Sequence, residues 1–124
     1  MQTAIDNVQD VVTSLVKGDT PLDDIRTNLR DPAAVVRANA LNALVSYAKA
    51  DAGLIEDVVA VAKNPINGIG LIGTLTVAHV AVGCLYQIGS LTALDAATEL
   101  LARWPEPDRS DLLWHLRSEG HTPR

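Results

Sequence analysis

Apolar positions recur at helical spacing from the start of this chain. Ile5, Val8, Val12, Leu15 and Val16 share one face of a helix predicted over 3–17, and Asp6, Asp10, Thr13 and Lys17 share the other. Gly18 stops it. Thr20-Pro21-Leu22-Asp23 then predicts a second helix start, with Thr20 as N-cap, Pro21 at the first helical position and a carboxylate three residues after the cap. Leu22, Ile25 and Leu29 form its apolar stripe. Asp31-Pro32 opens a third helix in the same way, with Val36, Ala40, Leu44 and Tyr47 along one side and Asn39, Asn42 and Ser46 along another. Asp51 is the expected cap of a fourth, whose inward residues are Leu54, Ile55, Val58, Val59 and Ala62. The link Lys63-Asn64-Pro65-Ile66-Asn67-Gly68 holds two turn-forming dipeptides, Asn-Pro and Asn-Gly.

The pattern changes between Asn64 and Leu94, a stretch without Asp, Glu, Lys or Arg in a chain that is 20% charged. Within it Ile69–Ile88 is apolar on nearly every side of a helix, and such a helix must be enclosed. The sequence therefore predicts Ile69–Ile88 as the central helix of an all-helical stack, ending at Gly89. Ser90 caps a sixth helix, with Leu94, Ala97, Leu101 and Trp104 inward and Asp95, Glu99 and Arg103 outward. Pro105-Glu106-Pro107 breaks the chain, Asp108 is the expected cap of a last helix to about Ser118, and 120–124 is a loose tail. Twenty apolar residues are also enough to cross a bilayer. Three Gly, two Thr, His79 and Gln87 within the stretch argue against that, as does the lack of a flanking basic cluster.

Composition narrows the picture. A length of 124 residues fits one domain, and 48% hydrophobic residues with only 3% aromatics and no Phe call for a core of Ala, Val, Leu and Ile. The net charge of −5 argues against a nucleic-acid backbone as the main partner. A lone Cys84 in the apolar helix reads as a small core residue and offers no disulfide framework, so the expected location is a reducing cytoplasm. The N-terminal MQTAIDNVQD has neither the basic nor the apolar region of a signal peptide.

Three predicted helices end alike, at Arg30-Asp31-Pro32, Lys63-Asn64-Pro65 and Arg103-Trp104-Pro105, so the basic residue recurs at intervals of 33 and 40. Ala40–Leu44 also superposes on Ala81–Leu85 at an offset of 41. Two helices per period of this length indicate a stacked α-solenoid, with helix pairs over 3–30, 32–63 and 69–104 and a capping helix over 108–118. The pattern resembles HEAT repeats, most sharply at Asp31-Pro32 followed by Val36-Arg37-Ala38, Ala40, Ala43 and Leu44. The resemblance implies a right-handed stack, a structural ladder in which Asp31 pairs with Arg37, and second helices lining a concave face. In the third unit Asn64 stands in the place of the Asp and Ala78 in that of the Arg.

Chemical motifs are sparse. Gly68-Ile69-Gly70-Leu71-Ile72-Gly73 spells the GxGxxG of dinucleotide sites, with Asp95 beyond it, but the βαβ surroundings such a site needs are missing. His79, one residue past the place of Arg37, reads as a buried imidazole bonded to a neighbouring loop. Asp111, His115 and Glu119 share a helix face at metal-compatible spacing, with no HExxH or Cys pair beside them, and read as a solvated face. Neither a metal nor another cofactor is expected. Charge recurs on the second helix of each pair: Asp23 and Asp24, Glu56 and Asp57, Asp95 and Glu99 toward the starts or middles, Arg30, Lys63 and Arg103 at the ends. Such placement complements the helix macrodipole, and on a concave face it also makes an acidic and a basic stripe. The leading expectation is a non-catalytic module that binds a protein or peptide through Glu56, Asp57, Asp95, Glu99, Arg30, Lys63 and Arg103. An inhibitor or immunity-type partner of a basic protein fits that charge. The alternatives are a HEAT-like enzyme or DNA-lesion binder, which calls for a basic, aromatic-rich surface, and a structural or oligomeric subunit.

Overall fold

A computed structural model describes residues 4–123, apart from 69, 73 and 74 and the side chains of 4–7 and 70–72. Expectations on Thr3, Ile5, Asp6, Ile69 and Gly73 therefore lie outside the described residues. Seven α-helices occur among those described: α1 Ala4–Lys17, α2 Leu22–Asn28, α3 Ala34–Ala50, α4 Leu54–Lys63, α5 Val77–Ile88, α6 Leu91–Arg103 and α7 Asp108–Ser118. The fold is all-helical in character, as the periodicity predicts. None of these helices is long and apolar enough to cross a membrane.

The central segment departs from expectation. Instead of one helix from Ile69, a 3-10 turn over Pro65–Gly68 leads into a small antiparallel pair, β1 Gly70–Ile72 with β2 Leu75–Thr76, and α5 starts only at Val77. The reason is local. Gly in a helix interior costs about 1 kcal/mol relative to Ala, and β-branched residues add to that bias. Thr76 also offers a strong start signal. Its Oγ1 accepts the His79 N–H at 3.1 Å, while its own N–H donates to His79 Nδ1 at 3.3 Å. At the other end Gly89 takes the left-handed conformation (φ 73°) that closes the helix.

Three other predicted caps are displaced. The Asp31 and Asp51 carboxylates accept N–H groups two residues on, from Ala33 at 2.8 Å and Gly53 at 3.0 Å, forming turns that delay α3 and α4. The Thr20 hydroxyl bonds Ser14 at 2.8 Å and does not cap α2. Ser90 caps α6 as expected, accepting from the Ala93 N–H at 3.2 Å.

Helices α3 and α5 form the middle of the molecule. α3 packs on α1, α2 and α5, and α5 packs on α3, α4, α6 and α7. Leu41, Leu44, Val58, Val82 and Leu85 are fully enclosed where they meet, each worth about 1.5–3 kcal/mol in burial. Ala40, Ala81, Ala93 and Ala97 are also fully buried, and side chains this small let the helix axes approach closely. The aromatic-poor composition is thereby explained: the core is filled by short aliphatic side chains between close helices.

Candidate functional site

A groove of about 880 Å³ runs between α2 and α4, closed at one end by the turn before α3. Its walls carry Arg26 and Arg30 from α2 and the residues after it, Asp57 from α4, and Arg37 with Asn67 from the neighbouring turn. Helix α2 is held there by the burial of Ile25 and Leu29 on the core. That face fixes which way its charged residues point. Asp57 approaches Arg26 Nε to 3.0 Å, close enough for an ion pair but without the alignment of a hydrogen bond.

Arg37 is buried in the groove lining, with only 6% of its surface exposed. Its Nε donates to Asn67 Oδ1 at 2.8 Å, and its Nη1 donates to the Asp31 and Pro32 carbonyls at 2.7 and 3.0 Å. Asn67 is fixed in turn by donating to the Val61 carbonyl at 3.0 Å. The expected Asp31–Arg37 contact exists, but it runs through the Asp31 backbone. The Asp31 carboxylate is taken by the Ala33 N–H. Asn67, which sequence reasoning placed only in a turn, is the side chain that ties Arg37 to the segment after α4. Its one sequence signal is an Asn in the link that follows α4.

A second polar cluster lies at α5 and α7. His79 is buried, and its Nδ1 accepts the Thr76 N–H, which places its proton on Nε2. That Nε2–H faces both Asp108 oxygens, at 3.0 and 3.1 Å. Asp108 also accepts from Trp104 Nε1 at 2.5 Å. Burial pushes the Asp108 carboxyl upward, but the Trp104 and His79 hydrogen bonds and the fields of His79 and His115 outweigh it, holding the group below its ordinary value. Asp108 is thus the first residue of α7 and a tie to α5, whereas the sequence suggested a cap.

His115 packs against the His79 ring at 5.7 Å, and Glu119 turns toward His121, so Asp111, His115 and Glu119 do not form a shared solvated face. Among the described residues no group of His, Cys, Asp and Glu is placed to hold a metal. Cys84 is fully buried, and burial, with a smaller contribution from the Glu119 charge, raises its thiol to about 12.

The remaining expected site residues are dispersed. Glu56, Asp95, Glu99, Lys63 and Arg103 are exposed on α4 and α6, outside the groove. Glu99 lies 3.5 Å from Arg103 one turn on, so the acidic stripe is partly neutralised by its own helix. The groove unites Arg30, Asp31, Arg37 and Asp57 of the expected site with Asp23 of the recurring charge pattern, and adds Arg26, which the sequence did not single out. Of the GxGxxG glycines, Gly68 ends the 3-10 turn and Gly70 opens β1, and no βαβ unit surrounds them among the described residues. No family model matches the chain, and no curated protein or solved structure matches it.

Proposed function

We propose that the chain is a non-catalytic binding module that seats a partner polypeptide on the α2–α4 side of a short right-handed solenoid. In this reading the pairs are α1–α2, α3–α4 and α5–α6, with α7 as the cap, as in HEAT repeats. Packing of α1 on α3 and of α3 on α5 supports it, as does the contact of α4 with α6. The Arg37–Asn67 bond, crossing from the second unit to the link before the third, is what an inter-repeat rung requires.

The observation that carries the functional reading is the groove, where three Arg and several Asp face a space large enough for a few residues of polypeptide. Exposed Glu56, Asp95 and Glu99 beside it extend a negative field that speeds encounter with a basic partner. An inhibitor or immunity-type protein acting in the cytoplasm fits these features. The test is capture from the native source on the immobilised chain, followed by titration of the purified partner. Arg30→Glu is expected to weaken binding at least tenfold with the fold retained. Equal affinity for that variant and for the wild type defeats the assignment of the groove.

A further inference from the structure

The proposed role of the α2–α4 groove leaves open what the groove grips, and the buried cation in its lining answers in chemical terms. Arg37 is a buried cation whose three bonds all go to neutral oxygens, and no carboxylate lies within ion-pair range among the described residues. Those bonds use Nε and Nη1 and leave the Nη2 donors of the fork unbonded among the described residues. A buried charge answered only by dipoles is poorly compensated, and the planar fork of a guanidinium matches a carboxylate better than any other common side-chain group.

The carboxylates already in the groove are committed. Asp31 accepts the Ala33 N–H and Asp57 lies against Arg26. Arg30 stands exposed at the rim, with no side-chain partner among the described residues. Asp23, exposed on the same wall, is the remaining negative group and favours a cation beside the incoming carboxylate.

We propose that the groove binds a carboxylate carried by a partner polypeptide, held between Arg37 at the floor and Arg30 at the rim, next to a basic residue that faces Asp23. This rests on the groove being the partner's seat. A free multivalent anion is disfavoured by the chain's net charge of −5, and a single small ion leaves most of the 880 Å³ unfilled.

The test is a nuclear magnetic resonance titration that follows the arginine Nε–H signals of the full chain. Three probe peptides share an acetyl-Lys-Gly start: one continues Glu-Gly-amide, one Gly-Gly with a free C-terminal carboxylate, and one Gln-Gly-amide. Saturable shifts of Arg37 and Arg30 are expected with one or both carboxylate peptides, identifying a side-chain or a C-terminal carboxylate as the source. The Gln peptide is expected to bind at least tenfold more weakly. Arg37 variants are prone to unfold, so Arg30→Glu serves as the reporter, with an expected affinity loss of tenfold or more in a protein whose spectrum stays folded. Equal binding of the Gln peptide, or no loss in Arg30→Glu, overturns the proposal. Inorganic phosphate binding as tightly as the peptides also overturns it, by showing a site for free anions. If peptides fail while a captured partner still loses affinity through Arg30→Glu, only this inference falls and the groove keeps its role.

Discussion

Arg37 and His79 are buried polar groups near the starts of α3 and α5, and the chain treats them oppositely. His79 is answered by a carboxylate: Asp108 receives its Nε2–H and the Trp104 indole N–H, and α7 closes over the site. Arg37 is answered by an amide and two carbonyls and faces an open groove. The difference teaches how the starts of two core helices yield a closed joint in one case and an available charge in the other. The joint consumes its polar capacity in folding, and the groove keeps some for a partner.

Removing the two side chains should separate these roles most sharply. Arg37→Ala orphans the buried Asn67 Oδ1 and two part-buried carbonyls and empties a buried side-chain site, so a loss of about 3 kcal/mol or more is expected in urea unfolding. His79→Ala keeps the Thr76 cap but leaves the Thr76 N–H without its acceptor and removes a donor to a half-exposed carboxylate that water can reach, so a smaller loss of about 2 kcal/mol is expected. The reverse order would break the comparison.

Cys84 marks the closed side. Its folded-state thiol is raised to about 12, above the unfolded value of 9.0, so its contribution is intact below pH 9 and is lost as pH rises toward 12. Wild-type stability should fall in that window by about 1.4 kcal/mol per pH unit more steeply than that of Cys84→Ala. Parallel slopes would place the thiol in contact with water.

Asp108 gives the acid-side counterpart. Its folded-state value is depressed, so its contribution is present above the unfolded carboxylate value, about 4, and is lost as pH falls below it. The advantage of wild type over Asp108→Asn should be constant above about pH 5 and shrink below about pH 4, as read by thermal unfolding across pH. A difference that grows on acidification would contradict the assigned hydrogen bonds.

Asn67→Asp makes the open site resemble the closed one by placing a carboxylate at Arg37 Nε. The gain of an ion pair against the lost amide donor to Val61 should leave stability within about 1 kcal/mol of wild type. Binding of carboxylate peptides should weaken at least tenfold. Smallest of all in its effect on folding is Glu56→Lys with Glu99→Lys, which should slow partner association and flatten its salt dependence with the fold unchanged.

Helical periodicity made most of the fold legible, because the apolar stripes of α2, α4 and α6 answer largely to burial, whereas Val16 of the α1 stripe is 71% exposed and Tyr47 of α3 is 38% exposed. The helix expected over 69–88 begins only at Val77 for a physical reason. A stretch apolar on all sides carries no periodicity to distinguish a hairpin from a helix, and the deciding signals were Thr76, His79 and the glycines. Of the site, Arg30 and Asp57 were legible as charged residues at recurring positions, and Asp31 and Arg37 through the resemblance to HEAT repeats. The roles of Asn67, 30 residues from Arg37, and of Asp108, 29 from His79, were not. Both depend on contacts between distant segments, which no local pattern encodes.

The account stands most directly on where a partner rests. Amide hydrogen exchange of the chain, free and bound to its captured partner, measures this without any substitution. Added protection in α2, in the turn before α3 and at the start of α4 is the expected result. Protection confined to α7 or to the Tyr47 side of α3, with α2 and α4 exchanging as in the free chain, would contradict it.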